Sequence, residues 1–185
     1  MASYPNVVVI PRAQVRVNIR PPVVYGEWDE ALLRLFKLAK AGIVPLIGDG
    51  SQELSVVYGA DVADALVAAA TSVRTAGRVY FATHPAVTTA RRLAEAVGHA
   101  LGKTLRFVPL PTPIARAAFW TVGSLARLIG RVSVVSSERA AEFLAPAWTC
   151  RADALRADAG WQARIDLATG LGRTAAWYRR YGWLA

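Results

Sequence analysis

Six tyrosines, two histidines and a single cysteine are the side chains of this sequence best suited to acid/base or nucleophilic work. A tyrosine acid/base partnered by lysine needs that lysine one helical turn on, where residues i and i+4 share a face. None of Tyr4, Tyr25, Tyr58, Tyr80, Tyr178 and Tyr181 has lysine four residues later, so the Tyr-x-x-x-Lys pair does not occur. Gly170-Leu171-Gly172-Arg173-Thr174-Ala175 spells G-x-G-x-x-A, the lettering of a phosphate-cradling loop. Such a loop needs a strand before it and a helix N-terminus at the pyrophosphate. Leu167 and Leu171 instead share a helical face with Ala175 and Tyr178, which predicts two tolerated glycines inside a helix. His84 precedes Pro85 and could act as a general base, but no serine or cysteine stands in a recognisable relation to it. His99 falls on the polar side of a helix, and Cys150 reads as a small buried hydrophobe. Asp61 and Asp64 are placed as helix caps, and Glu27, Asp29 and Glu30 as dipole partners at a helix start. No catalytic residue and no metal ligand set is assigned.

Charge narrows the partners. The formal net charge is +9, and all but three of the 22 basic residues are arginine. They are scattered singly or in pairs, such as Arg91-Arg92 and Arg179-Arg180, without the run or stripe of a nucleic-acid footprint. Nucleic acid is therefore an unfavoured partner. One cysteine forms no internal disulfide, and with no leader pattern at the start the expected compartment is the cytoplasm. The most apolar stretch, Pro113 to Val135, is interrupted by Arg116, Arg127 and Arg131, so no membrane span is expected.

The elements that must position these residues alternate between two periodicities. Val7–Ile10 and Val15–Ile19 are β-branched runs; Ile43–Ile47, Leu54–Tyr58, Arg78–Thr83 and Leu105–Leu110 also read as strands. Leu32, Leu35, Phe36 and Ala39 recur at helical spacing, giving a helix over Glu30–Ala41 that Gly42 ends. Asp61 is the expected N-cap of a helix from Val62 to about Ser72. Further helices are expected over Thr89–Leu101, Ile114–Ile129, Ser137–Leu144, Ala152–Ala159 and Leu167–Tyr181, with Val132–Val135 an apolar piece between two of them. The class is mixed α/β with helix in excess.

Four stretches in order give the chain a family likeness over about residues 15–184. Arg20-Pro21-Pro22-Val23-Val24-Tyr25-Gly26 is similar to the R-P-x-x-V-Y-G that follows a late strand of the dinucleotide-binding sheet in extended short-chain dehydrogenases/reductases. Pro45–Gln52 followed by Asp61-Val62-Ala63-Asp64-Ala65 resembles that family's G-D-G-x-Q … V-D-D-V-A-x-A. Arg78-Val79-Tyr80-Phe81 with the Arg92–Leu101 helix follows its V-Y-x-x … L-A-E-A pattern. Leu155, Gly160-Trp161, Asp166-Leu167, Gly170-Leu171, Thr174, Trp177-Tyr178 and Gly182-Trp183-Leu184 resemble its terminal L-G-W … L-x-x-G-L-x-x-T-x-x-W-Y-x-x-x-G-W-L. The family comprises NAD(P)-dependent epimerases, dehydratases and 3β-hydroxysteroid-dehydrogenase-like enzymes.

The resemblance implies a partial Rossmann-type region with a small α+β substrate-binding domain. Its glycine-rich loop and Tyr-x-x-x-Lys pair belong to the half that would precede Arg16. Residues 1–15 are then an extension, with Val7–Ile10 a possible replacement strand, and residues 16–185 a substrate-side unit. Carried over from the family, Pro21, Pro22, Val23 and Val24 would line the nicotinamide end of an NAD(P) site, while Tyr25, Gln52 and Tyr58 would face substrate. Glu27 stands where the family has proline, and Leu54 where the sugar-nucleotide enzymes often have arginine. Val57-Tyr58-Gly59-Ala60-Asp61 replaces V-H-V-D-D. These departures imply a small apolar ligand, with the site completed by a Rossmann partner chain. The alternative is a non-catalytic binding module that covers its open sheet edge as a homodimer.

Overall fold

The computed structural model describes residues 16–117, 121 and 144–184. Val7–Ile10, the body of the helix expected over Ile114–Ile129, Val132–Val135 and all but the last residue of the helix expected over Ser137–Leu144 lie outside the described residues. In chain order the elements are β1 (Asn18–Arg20), β2 (Val23–Tyr25), α1 (Glu30–Ala41), β3 (Ile43–Ile47), β4 (Glu53–Leu54), β5 (Val56–Tyr58) and α2 (Gly59–Thr71). They continue with β6 (Val79–Phe81), β7 (Thr88–Thr89), α3 (Ala90–Leu101), β8 (Arg106–Leu110), β9 (Ala147–Trp148), α4 (Asp153–Ala159) and α5 (Leu167–Arg180).

The long-range pairings are mostly parallel, as helical crossovers require. β1 pairs with β6, β2 with β5 and β3 with β8, all in parallel register. A small mixed sheet orders β7-β4-β9. The expected strand over Leu54–Tyr58 divides at Ser55, and hydrogen bonding shows why. The Ser55 amide donates to Trp148 O, while its carbonyl accepts from Val23 N, so the chain changes sheets at this residue. Pro45 and Pro109 sit inside β3 and β8 without breaking the pair, because among the described residues each strand has a free edge on which a missing N–H costs no ladder bond.

Local chemistry sets the helix ends. Asp29 Oδ1 accepts from Ala31 N at 2.8 Å to start α1, and Gly42 at φ 83° closes it. Thr89 and Asp166 cap α3 and α5 in the same way. The expectation for Asp61 is corrected. α2 begins three residues earlier than expected, at Gly59 rather than Val62, after Tyr58, which offers no side-chain cap. Asp61 lies within the first turn, and its buried carboxylate turns away from its own helix.

Two buried clusters flank these sheets. The larger holds Tyr25, Phe36, Val44, Val97, Leu171 and Tyr178, so α1, α3 and α5 share one core. The smaller joins Val57, Tyr80, Leu155 and Trp161. Tyr178 meets Phe36 edge-on at 5.2 Å and stacks on Trp183 at 5.7 Å. That seats the end of the described chain against α1. Among the described residues no helix is long and apolar enough to cross a membrane.

Candidate functional site

The strand β2 delivers its end to a cleft of about 640 Å³ lined by Val24, Tyr25, Gly26, Glu27, Trp28, Asp29, Gly59, Ala60 and Trp177. Of the strand-end residues, Val24 lines it, Val23 packs against the core, and Pro21 and Pro22 lie before it. Tyr25 forms part of the wall, but it is only 2% exposed. Its hydroxyl donates to the carbonyl of Asp166 at 3.4 Å. Burial, then the carboxylates of Asp166 and Asp61, push the Tyr25 phenol far above its usual range. It therefore stays protonated at neutral pH.

Tyr58 stands beside Tyr25, with ring centroids 5.6 Å apart, and its hydroxyl donates to Glu27 Oε1 at 2.5 Å. No local pattern in the sequence reveals this pair. Both members are departures from the family pattern, Glu27 in the place of proline and Tyr58 in the place of histidine, and the parallel register of β2 and β5 brings them together. Glu27 thus leaves the acidic cluster, in which Asp29 alone caps α1 by side-chain hydrogen bond. Burial first, then the hydrogen bond and charge of Glu27, push the Tyr58 phenol from 10.0 up to about 12, while Arg173 works the other way. A phenol so placed is a hydrogen-bond donor at neutral pH, not a base.

The alkaline consequence has a defined sign. A raised folded-state pKa gives stability that is complete below the ordinary phenol value of 10.0 and is lost as pH climbs through about 12. Tyr25 and Tyr178 shift in the same direction. Thermal melts are expected to hold level from about pH 8 to about 9 and to fall steadily above pH about 10. Tyr58→Phe should lessen that fall.

Gln52 is not among the cleft residues. Its Nε2 donates to Ile47 O at 2.9 Å, which braces the Gly48–Ser51 turn, and its Oε1 is buried without a partner among the described residues. Asp61 is not among the cleft residues either. Its Oδ1 accepts from Arg164 N at 3.2 Å and its Oδ2 from Ile165 N at 3.0 Å. The carboxylate therefore clamps the segment entering α5 onto α2.

His84 and Cys150 line a separate cavity of about 530 Å³ with Arg151, Arg156 and Trp161. His84 Nδ1 accepts from Ala86 N at 3.1 Å, a local turn bond. The Cys150 thiol is half-buried and pushed up by that burial, so it is less nucleophilic than a free thiol. His99 is exposed, as its helical position predicts.

The fit of NAD to these groups is partial. Val24, at the end of β2, lines the cleft and is 39% exposed. Among the described residues the phosphates find no cradle: Gly170 and Gly172 lie inside α5, and Gly170 faces the Tyr25 ring. The described residues do not fit the cofactor as a whole, and no hydride step follows from them.

Comparison with known proteins agrees with this geometry. The chain is 29% identical over 177 residues to ceramide reductase of Caulobacter vibrioides (strain NA1000 / CB15N), covering 90% of this chain and 52% of that protein. Its fold is similar to the epimerase Mth375 from Methanothermobacter thermautotrophicus, with a TM-score of 0.66, 15% identity, and coverage of 92% of this chain and 45% of that one. The dTDP-glucose 4,6-dehydratase of Bacillus anthracis str. Ames, solved in complex with NAD, gives a TM-score of 0.62 at 18% identity, over 89% of this chain and 45% of that one. The chain thus spans about half the length of the reductase and of both solved structures. Residues 12–110, more than half of the sequence, match the profile of the 3-beta hydroxysteroid dehydrogenase/isomerase family. With the R-P strand, the parallel β2–β5 pair and the terminal aromatic helix all in place, the chain belongs to that family.

Proposed function

We propose that this chain is the substrate-side part of an NAD(P)-dependent reductase of the family, binding a neutral, largely apolar ligand in the β2 cleft. The observation that carries the reading is the lining itself. Its side chains among the described residues are apolar or aromatic apart from Glu27 and Asp29, and no described lysine or arginine is among them. The carboxylates of Glu27 and Asp29 disfavour a nucleoside diphosphate even with Arg173 near Tyr58, whereas aromatic walls favour an apolar body. Leu54, in place of an arginine, points the same way.

The dinucleotide would be held mainly by another part, either more of the same protein or a separate Rossmann chain. Two features support this. β1 pairs on one side with β6, and no other described strand pairs with it. Val79 and Phe81 of β6 are 50% and 44% exposed, although parallel-sheet strands normally have both faces covered. A homodimer covering the same edge is the second reading, favoured by the same exposed strands.

Trp28 and Trp177 line the cleft, so its occupancy can be read from tryptophan fluorescence. A long-chain ketone is expected to quench that emission saturably, and UDP-glucose to bind at least about tenfold more weakly. Tighter binding of UDP-glucose would overturn the apolar-ligand reading.

A further inference from the structure

The side-chain oxygens on the wall of the β2 cleft differ in what they have left to offer a ligand. The Tyr25 hydroxyl donates to Asp166 O. Asp29 is committed to its surroundings, since Oδ1 accepts from Ala31 N to cap α1 and its carbonyl accepts from the Tyr178 hydroxyl. Glu27 is different. Its Oε1 takes the one proton of the Tyr58 hydroxyl, and its Oε2 has no hydrogen-bond partner among the described residues. Arg173 acts on Tyr58 but is not part of the lining.

Glu27 is also held in place. A glutamate normally samples many rotamers, but the phenol that grips this one is 2% exposed and packs edge-on against Tyr25. Gly26 admits that phenol, because a Cβ there would lie 3.3 Å from Tyr58 Cε2. On the other side of Glu27, Trp28 takes a φ of 68°, which a bulky side chain rarely adopts, and its ring packs on Trp177 with centroids 4.7 Å apart. One carboxylate oxygen, fixed through a buried tyrosine, is thereby left in a wall made largely of indole and aliphatic surface.

We propose that Glu27 is the specificity residue of this cleft: its unpaired carboxylate oxygen accepts a hydrogen bond from a hydroxyl or amide N–H carried by the apolar ligand, and Tyr58 is the positioning residue that holds it there. This rests on the apolar-ligand reading and adds to it the polar end of the ligand. An ionised carboxylate accepts and cannot donate, so a head group with acceptors alone gains nothing from Glu27. Hydrogen bonds to an ionised acceptor are the strong ones, which makes a single donor on the ligand enough to discriminate. The positive charge of Arg173 beside Tyr58 opposes that of Glu27, which favours a neutral donor over an ammonium ion.

The experiment titrates the whole chain, by quenching of tryptophan fluorescence, with a long-chain ketone, the same ketone bearing a hydroxyl, and the methyl ether of that hydroxyketone. The hydroxyketone is expected to bind about tenfold more tightly than its ether, and more tightly than the plain ketone, which removes bulk as the reason. In Glu27→Gln the amide oxygen takes the Tyr58 proton and the N–H₂ is left for the ligand, so the ratio of hydroxyketone to ether affinity should fall to about one. Tyr58→Phe leaves the acceptor but frees it to turn, and the ratio should shrink to about threefold. If the plain ketone quenches saturably while hydroxyketone and ether bind alike, the role of Glu27 is overturned and the apolar-ligand reading stands. If UDP-glucose binds more tightly than all three, both fall. A Glu27→Gln protein with the parent's circular dichroism and melting temperature that keeps the tenfold ratio would also overturn the assignment, as would a long-chain ammonium ion that binds more tightly than the hydroxyketone.

Discussion

Asp61→Ala is expected to lower the melting temperature by about 10 °C, corresponding to roughly 3 kcal/mol in a domain of this size. The carboxylate is 2% exposed and accepts from two backbone amides, Arg164 N and Ile165 N. Removing it leaves both donors buried without an acceptor, at about 1–3 kcal/mol each before relaxation or water entry. Asp61→Asn separates this explanation from simple loss of volume. The amide keeps the shape but presents an N–H₂ to one of the two donors, so it should fall between alanine and the parent. Asp64, exposed on the same helix, is the control, and Asp64→Ala should change the melt little. Differential scanning calorimetry of the three variants gives the order directly; equal melts for Asp61→Ala and Asp64→Ala would remove the clamp.

The second large effect is at Gly170. A Cβ there would lie 2.5 Å from the Tyr25 hydroxyl oxygen and 2.8 Å from Cε2 of the same ring. Tyr25 is fully packed in the larger core, so the ring has little room to withdraw. Gly170→Val is expected to destabilise by about 3 kcal/mol, in the upper range for overpacking, and to disturb the cleft wall that Tyr25 forms. A Cβ at Gly172, two residues on, would meet no described atom within 4 Å. Gly172→Ala should therefore stabilise α5 by up to about 1 kcal/mol through helix propensity. Urea denaturation of both variants checks the contrast, and a Gly170→Val protein as stable as the parent would show that the close approach is not real.

These two sites mark how far the sequence can be read. The apolar spacing of Leu167, Leu171, Ala175 and Tyr178 places the glycines of G-x-G-x-x-A inside a helix, and α5 is that helix. That Gly170 is required by a ring on β2, while Gly172 is free, depends on a contact between residues far apart in the chain, which no local pattern carries. The same holds for Asp61. An acid at a helix start reads as a cap because capping is local, whereas the amides it accepts from lie more than a hundred residues along the chain. Amphipathic segments with a cap and a closing glycine are legible to the residue: α1 spans Glu30–Ala41 and α3 ends before Gly102, as their patterns require. The two-residue strands β7 and β9 are not, since Thr88–Thr89 and Ala147–Trp148 are too short for any periodicity and exist through pairing with β4.

In the site, family likeness points to Val24, Tyr25 and Tyr58, and β2 and β5 do bring the two tyrosines together. Gln52 braces a turn instead, because its Nε2 finds Ile47 O five residues back before it can reach the cleft. Trp28 and Trp177 escape the sequence reading as lining residues. The signal available is Trp28 directly after the unusual Glu27, a large apolar ring at a position where a helix is about to start. Reading that ring as a cleft wall requires knowing that α5 returns beside β2.

The account turns on a division of labour, with substrate surface in this chain and phosphate binding elsewhere. Isothermal titration of the purified 185-residue chain with NADH and NADPH tests it most directly. The predicted result is no saturable heat with either nucleotide, from protein that still melts cooperatively and still shows cleft quenching by a long-chain ketone. Saturable dinucleotide binding accompanied by reduction of that ketone by the chain alone would contradict it.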